Sequence, residues 1–600
     1  MKNKTLENYS YKLLMLWVLL PAFMSIVAFI AEPINIFQLF NNISDQMSLS
    51  LYFALQNIYV ILFWTLGIIT FIFAVYSLVI SRNQLCSKEY MKKYPWAYFM
   101  LMMLGWACIC TILSDYPLNS FTGRKYSFNG LMSIFIFSAI CVCGSIIYHS
   151  KYKKRLLVTF CSVITYLSSI ILIQAITDSF IDKCFSPDYA TVFLHHNHMG
   201  YVLCMGIVGD AILFLFSEKK VHKFIFGIFE LISLTALLVN DTFGSYLAVL
   251  LTMPVMYLAY FLKVRKFKLS DLIPGGIFAI ISVLSSCGLI LDTEPINQKL
   301  IKFVNDVYLF ITGGKGSQHT GTGRGYLWKE TFRRMLKRPI FGYGPAGFYK
   351  DNAMIWSGRP DAPHNEFLQR GAFIGIPGLI MYLSALFSFA WHHFKNIREL
   401  DPMVIATSSV TLTYLISSCF GNPVFSTAIY FYLFFGLSMS WNEDALPIVY
   451  DENSEEHLKQ FNIKKSTLIT GGLIFLFGIA GIAAIYHKNT EQNERSAEMM
   501  DVTAMQAADA SARLAVMNDK IKDGDIRWFN PDTFELIDPE KEAPKAYGAG
   551  TEYVSGYIPS DVNYTNVSET YDKNKDYTNQ YIQITIVNSE PVITWKNVDN

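Results

Sequence analysis

Apolar runs set the character of this chain. Stretches of about 18–22 mainly apolar residues, long enough to cross the hydrocarbon core as helices, recur along it. They centre near residues 22, 67, 104, 140, 167, 207, 231, 253, 282, 381, 411, 432 and 475. The pattern predicts an all-α polytopic membrane protein of about 13 transmembrane helices. The first run, Leu13 to Ile30, follows Lys2, Lys4 and Lys12. It is too long for a signal-peptide core and no small-residue cleavage site follows, so it reads as a retained helix.

The polar segments between the runs carry an orientation signal. With the N-terminus placed in the cytoplasm, the inner segments hold 23 Lys and Arg, and the short outer loops hold Arg124, Lys125 and Lys183. That bias predicts an N-terminus inside, a C-terminus outside and a multi-pass protein of the cytoplasmic membrane. Two segments are longer than connecting loops. Residues 293–370 carry 12 Lys and Arg against 6 Asp and Glu, a net +6, and are rich in aromatics. Residues 487–600 carry 20 acidic and 11 basic residues, a net −9. Within this tail 496–522 has helical spacing, and the run from Tyr581 to Val587 alternates like a half-buried strand. The expected organisation is therefore helices 1–9 over 1–292, a large basic external loop over 293–370, helices 10–13 over 371–486, and a small external α+β domain over 487–600.

Composition agrees. Of 600 residues 52% are hydrophobic and 16% charged, against roughly 25% charged in soluble chains. The net charge, 49 − 48 = +1, excludes a globally basic nucleic-acid binder. The ten cysteines show neither a disulfide framework nor zinc spacing.

Candidate chemistry is densest in the basic loop. Gly323-Arg324-Gly-Tyr-Leu-Trp328 opens an amphipathic stretch that runs to Arg338. Pro339-Ile-Phe-Gly342-Tyr-Gly344-Pro-Ala-Gly347 follows, then Pro363-His364-Asn365-Glu366 leading to Arg370. Gly342, Gly344 and Gly347 spell G-x-G-x-x-G, but they follow a basic helix and no strand, so a dinucleotide site is rejected. The glycines are expected to turn the backbone sharply beneath a bound head group. The planar fork of Arg324 suits a diphosphate, although an arginine at this depth also serves as a lipid-facing anchor. His364 suits a general base, with Asn365 or Glu366 orienting the imidazole; a histidine before a helix also serves as a cap or packing group. Asp210 and Glu230, inside apolar runs, are either functional carboxyls or neutral packing groups.

Together these elements resemble the O-antigen ligase superfamily: Arg-x-x-x-Trp, an apolar Pro-h-h-Gly-h-Gly segment (h, apolar), and a His-Asn pair running into a glycine-containing helix. That superfamily comprises lipopolysaccharide O-antigen ligases, Wzy-type polymerases and protein O-oligosaccharyltransferases. Gly123-Arg124 with Asn129-Gly130, and Leu194-His195-His196-Asn197-His198, resemble its outer Gly-Arg and Asn motifs. Asn240-Asp-Thr-Phe-Gly-Ser245 departs from it, because Thr242 and Phe243 stand where many relatives carry Ser-Arg-Gly.

The resemblance implies glycan transfer from an undecaprenyl-diphosphate carrier to a hydroxyl of a glycan, lipid or protein acceptor, at the outer face and with inversion. It implies His364 and Arg324 as catalytic residues. Arg124, His195, Asn197, Trp328, Gly342, Gly344, Asn365 and Glu366 would bind substrate. No metal or other cofactor is expected, because the outer loops lack an Asp-x-Asp pair. A polysaccharide flippase or secondary transporter is the alternative, but no repeated halves are visible.

Overall fold

In a computed structural model of the chain, the described residues run from 2 to 439, apart from 32–45, 81–90, 124–127, 178–190, 290–294, 313–323 and 347–362, and from Lys93, Leu194, Phe267 and Pro423. Beyond them they comprise Ala508, Ala512 and Val516, then 521–541 without 523 and 531–534, and 580–597 without 588 and 589. The chain divides into two compact units, one mainly of residues 1–350 and 362–470, the other mainly of residues 471–600.

Among the described residues, the first unit is built of helices and their connections. Its helices are α1 (Lys2–Ala31), α2 (Gln46–Ile80), α3 (Pro95–Ile112), α4 (Pro117–Thr122), α5 (Leu131–Ile146), α6 (Ser150–Thr177), α7 (His196–Phe216) and α8 (Lys220–Val239). After them come α9 (Phe243–Val264), α10 (Ile273–Ser286), α11 (Ile296–Thr312), α12 (Arg324–Lys337), α13 (Glu366–Lys395), α14 (Pro402–Ser417) and α15 (Phe425–Met439). Among the described residues nine helices are long and apolar enough to cross a membrane, and α5, α14 and α15 are shorter apolar helices. Helices therefore stand at twelve of the thirteen predicted positions. The thirteenth, near residue 475, lies outside the described residues.

Burial sorts these helices by their surroundings. The described side chains of α7 from Met199 to Leu215, and of α15 from Phe425 to Ser438, are buried, so both helices are central. Helix α2 leaves Ile61, Ile68, Ile72 and Tyr76 exposed, and α13 leaves Phe387 and Trp391 exposed. In water such faces would cost about 25 cal/mol per Å² of exposed apolar area, whereas in lipid they cost little. Small residues bring α5 and α15 together. A Cβ on Gly436 would lie 2.3 Å from the Cys141 carbonyl oxygen, and one on Gly144 would lie 2.9 Å from the Gly436 backbone.

The predicted basic loop is substantially helical. Helices α11 and α12 fill much of it, and α12 carries Arg334 and Lys337 in its last turn, where cations favour the helix dipole.

Helix α13 is broken. Ile374 (φ −118°, ψ 17°) and Gly375 (φ 71°, ψ 175°) leave the helical region, two residues before Pro377. The break releases backbone groups that an apolar environment cannot satisfy. The segment from Pro339 to Gly344 supplies their partners. Tyr343 N–H donates to the Ala372 carbonyl (3.0 Å), Gly344 N–H to Phe373 (2.8 Å), and Ile376 N–H to Pro339 (2.7 Å). The Trp106 indole donates to the Ile374 carbonyl at 2.8 Å.

The second unit holds a four-stranded antiparallel sheet in the order β2-β1-β3-β4. Its strands are β1 (Ile526–Asn530), β2 (Glu535–Ile537), β3 (Gln580–Val587) and β4 (Glu590–Asn597). Strand β3 is the one that alternation predicts. Ile582, Ile584 and Ile586 are buried, while Tyr581, Gln583 and Thr585 are half-buried. The predicted helical stretch 496–522 falls almost wholly outside the described residues.

The kink gives a test of the backbone argument. A Cβ on Gly375 would fall 1.9 Å from the Ile340 carbonyl oxygen, at a φ that L residues rarely adopt. Gly375→Ala should destabilise the helical unit by about 1–3 kcal/mol. Thermal unfolding of the purified protein in detergent measures this; an unchanged midpoint would refute the account.

Candidate functional site

His364 sits at the turn into α13, one residue before the helix N-cap. Its φ is +51°, in the left-handed region that costs a non-glycine residue energy unless its surroundings hold it there. The turn between α14 and α15 does so at three successive residues. His364 N–H donates to Asn422 Oδ1 (2.7 Å), Asn365 Nδ2 to the Cys419 carbonyl (3.0 Å), and Glu366 N–H to the Ser418 carbonyl (2.8 Å). The Asn422 amide also reaches the His364 ring, its Nδ2 lying 3.4 Å from Nδ1. Asn422 thus brackets His364 at backbone and side chain.

Arg324, the first residue of α12, and His195 and His198, at the head of α7, all act electrostatically on the His364 ring. Burial, the largest cause, together with the charges of Arg324, His195 and His198 pushes the His364 pKa down to about 3, because all of them disfavour a positive ring. The ring is neutral at physiological pH. The site is therefore a meeting of helix ends: α7, α12 and the start of α13.

Local sequence explains how α7 presents its histidines. His195 is the N-cap, its Nδ1 accepting from Asn197 N–H at 3.1 Å. His198 Nδ1 faces the Phe193 carbonyl at 3.2 Å, an arrangement that requires the proton on Nδ1. The segment that departs from the family motif braces the same helix end. Asn240 Nδ2 donates to the His196 carbonyl (2.9 Å), and Gly200 packs against Thr242. Asp241, at φ +55°, is ion-paired with Lys299 of α11. Phe243 lies 6.0 Å, ring to ring, from Phe303 of the same helix.

Several residues expected to touch substrate make structural contacts within the chain. Gly342 and Gly344 pack closely against other parts of the chain. A Cβ on Gly342 would meet the Ala372 and Phe373 carbonyls at 2.5 Å, and one on Gly344 would meet Ser114 and Ser120 at 2.5–2.6 Å. Their glycine character permits docking into the α13 break. Asn365 does not orient the imidazole, because its Oδ1 caps α13 by accepting from Leu368 N–H at 2.9 Å. Glu366 is turned away to Arg370, whose Nε donates to Oε1 at 3.0 Å. Arg370 also donates to the Tyr432 hydroxyl (3.1 Å) and lies over the Tyr382 ring. Trp328 is buried in α12, its ring 6.4 Å from that of Phe420. Asn197 engages His195 through its backbone. Arg124 lies outside the described residues. Sequence reasoning missed Asn422. Its setting, Gly421-Asn422-Pro423 between two apolar runs, signals a turn and nothing more.

Among the described residues no group of three His, Cys, Asp or Glu side chains is placed to hold a metal ion. Asp210 and Glu230 are fully buried on α7 and α8, and among the described residues neither carboxylate is paired with a cation.

Residues 228–383 match the family model described as O-antigen ligase, a span that takes in Arg324, His364 and the broken part of α13. A protein of Rickettsia conorii, provisionally named a polysaccharide ligase, is 25% identical over 317 residues, covering 50% of this chain and 68% of its own. One of Rickettsia prowazekii with the same provisional name is 23% identical over 322 residues, covering 51% and 69%. The helices and these matches define a polytopic membrane protein of polysaccharide biosynthesis. Over these residues the chain is similar to the O-antigen ligase superfamily.

The Glu366–Arg370 pair makes a testable support for the site. Removing one member of a buried pair leaves the other charge uncompensated, at a cost of about 3–5 kcal/mol. Glu366→Ala should show that loss in thermal unfolding, and Glu366→Ala with Arg370→Met should recover much of it. Equal stability of the single and double variants would contradict this.

Proposed function

We propose that this chain is a membrane glycosyltransferase of cell-surface polysaccharide biosynthesis. It moves a glycan from an undecaprenyl-diphosphate carrier to an acceptor hydroxyl at the outer face of the cytoplasmic membrane. The observation that carries this reading is the grouping of Arg324 and His364, both inside the family match, with His195 at adjoining helix ends. A lipid-linked diphosphate approaching from the bilayer would meet a guanidinium there. An acceptor approaching from water would meet the same helix ends.

The chemistry is a single displacement. The acceptor oxygen bonds to the anomeric carbon from the face opposite the carrier, the bond from that carbon to the phosphate oxygen breaks, and the anomeric centre inverts. The diphosphate leaves with the electron pair, and the hydroxyl proton passes to its oxygens or to water. Charge grows on the leaving group, so fixed cations and hydrogen-bond donors aimed at it lower the barrier. Arg324 is the cation of this scheme, its two parallel N–H groups matching a phosphate edge. The outer position of the site rests on the excess of Lys and Arg in the opposite loops.

Arg324→Lys keeps the charge but loses the fork. It should cost on the order of 2–3 kcal/mol of transition-state stabilisation, as loss of an aligned donor does elsewhere. Transfer of a labelled lipid-linked glycan by purified protein measures it, and wild-type rates would make Arg324 a lipid-facing anchor. The same assay in EDTA should proceed undiminished. Activity lost in EDTA and restored by magnesium or manganese would overturn the metal-independent scheme.

A further inference from the structure

The two contacts between Asn422 and His364 determine where the imidazole carries its proton. A backbone N–H can only donate, so the Asn422 atom that faces His364 N at 2.7 Å must be the amide oxygen. The other amide atom is then the NH2 group, which also can only donate, and it faces His364 Nδ1 at 3.4 Å. Nδ1 is therefore the acceptor, and in the neutral ring the single proton must sit on Nε2. Among the described residues Nε2 has no partner, while Arg324, His195 and His198 are the groups that act on the charge of this ring. The opposite arrangement stands nearby in His198, whose Nδ1 faces a carbonyl and whose Nε2 is bare.

We propose that Asn422 is a positioning residue that fixes His364 as its Nε2–H tautomer, so that His364 meets the substrate as a hydrogen-bond donor and not as a base. The assignment of substrate rests on the function proposed above; the tautomer does not. Arg324 acts electrostatically on the same ring, so the acceptor we assign to Nε2–H is an anionic oxygen drawn to that charge, an oxygen of the departing diphosphate. This explains why a strained backbone is held by a side chain. The carboxamide that secures φ +51° at His364 is the same group that selects the ring nitrogen offered to the ligand. It also replaces the general-base role that the sequence motif suggests, because a ring protonated at Nε2 cannot accept a proton there.

Asn422→Asp tests this with an isosteric change. The carboxylate still accepts the His364 N–H, but its second oxygen can only accept. It should therefore draw the ring proton to Nδ1 and leave Nε2 bare. If His364 is a donor, turnover should fall on the order of 100-fold, the usual loss for one donor at developing charge. If His364 is a base, Asn422→Asp creates an Asp–His pair, and turnover should hold or rise; that result overturns the proposal. The nitrogen spectrum of 15N-histidine-labelled protein in liposomes, with His364 assigned by its loss in His364→Gln, should show Nε2–H in the wild type and Nδ1–H in Asn422→Asp. Nδ1–H in the wild type also overturns the proposal.

His364→Gln and His364→Ala provide a measurement independent of Asn422. A glutamine amide can donate but cannot act as a base, so His364→Gln should keep at least tenfold more turnover than His364→Ala. Equal loss in both would refute the donor role. Wild-type protein that transfers no lipid-linked glycan would refute the proposed function and leave the tautomer to be judged by its spectrum.

Discussion

A backbone hydrogen bond has nowhere else to go inside a membrane, and the break in α13 turns that constraint into architecture. Interrupting the helix at Ile374 and Gly375 frees the carbonyls of Ala372, Phe373 and Ile374 where water is scarce. The segment from Pro339 to Gly344 and the indole of Trp106 take them up, which ties α3 and the end of α12 to the helix that begins beside His364. Without that exchange the two halves of α13 would have no fixed relation, and the helix ends that form the site would lose their common frame.

The large-scale fold is legible because it depends on local quantities. A run of apolar residues reports its own length, so helices fall at twelve predicted positions, including α7 and α15, which are buried along most of their length. Alternation likewise reveals β3 from its own side chains. The other three strands escape because β2 is short and β1 and β4 interleave polar residues without a clean period. Helix α4 is only six residues long, below the length at which a 3.6-residue period can be seen.

The site is legible in part for the same reason. Motif spacing points to Arg324 and His364, and their sequence separation of forty residues hides nothing about their chemistry. What motif spacing cannot supply is the partner of each group. Glu366 and Asn365 adjoin His364 in sequence, yet one faces Arg370 and the other caps α13. The residue that controls the imidazole arrives from fifty-eight positions away, in a turn whose sequence advertises only its bend. Gly342 and Gly344 carry a pattern that motif spacing alone does not resolve. Their pattern looks like a ligand cradle because close backbone approach demands glycine whether the approaching group is a phosphate or another stretch of the same protein.

The seam between α5 and α15 has a consequence for where change can be absorbed. Gly436 lets α15 rest directly on the backbone of α5, and one helical turn earlier the same helix offers Tyr432 to Arg370. Arg370 in turn holds Glu366, two residues from His364. The seam is a datum from which the alignment of the site is measured. A methyl group added deep in the lipid-embedded core, with no ligand near it, would lift α15 and carry Tyr432 along. Such a protein would fold and insert, and its fault would register as a misaligned imidazole at the other end of the chain of contacts.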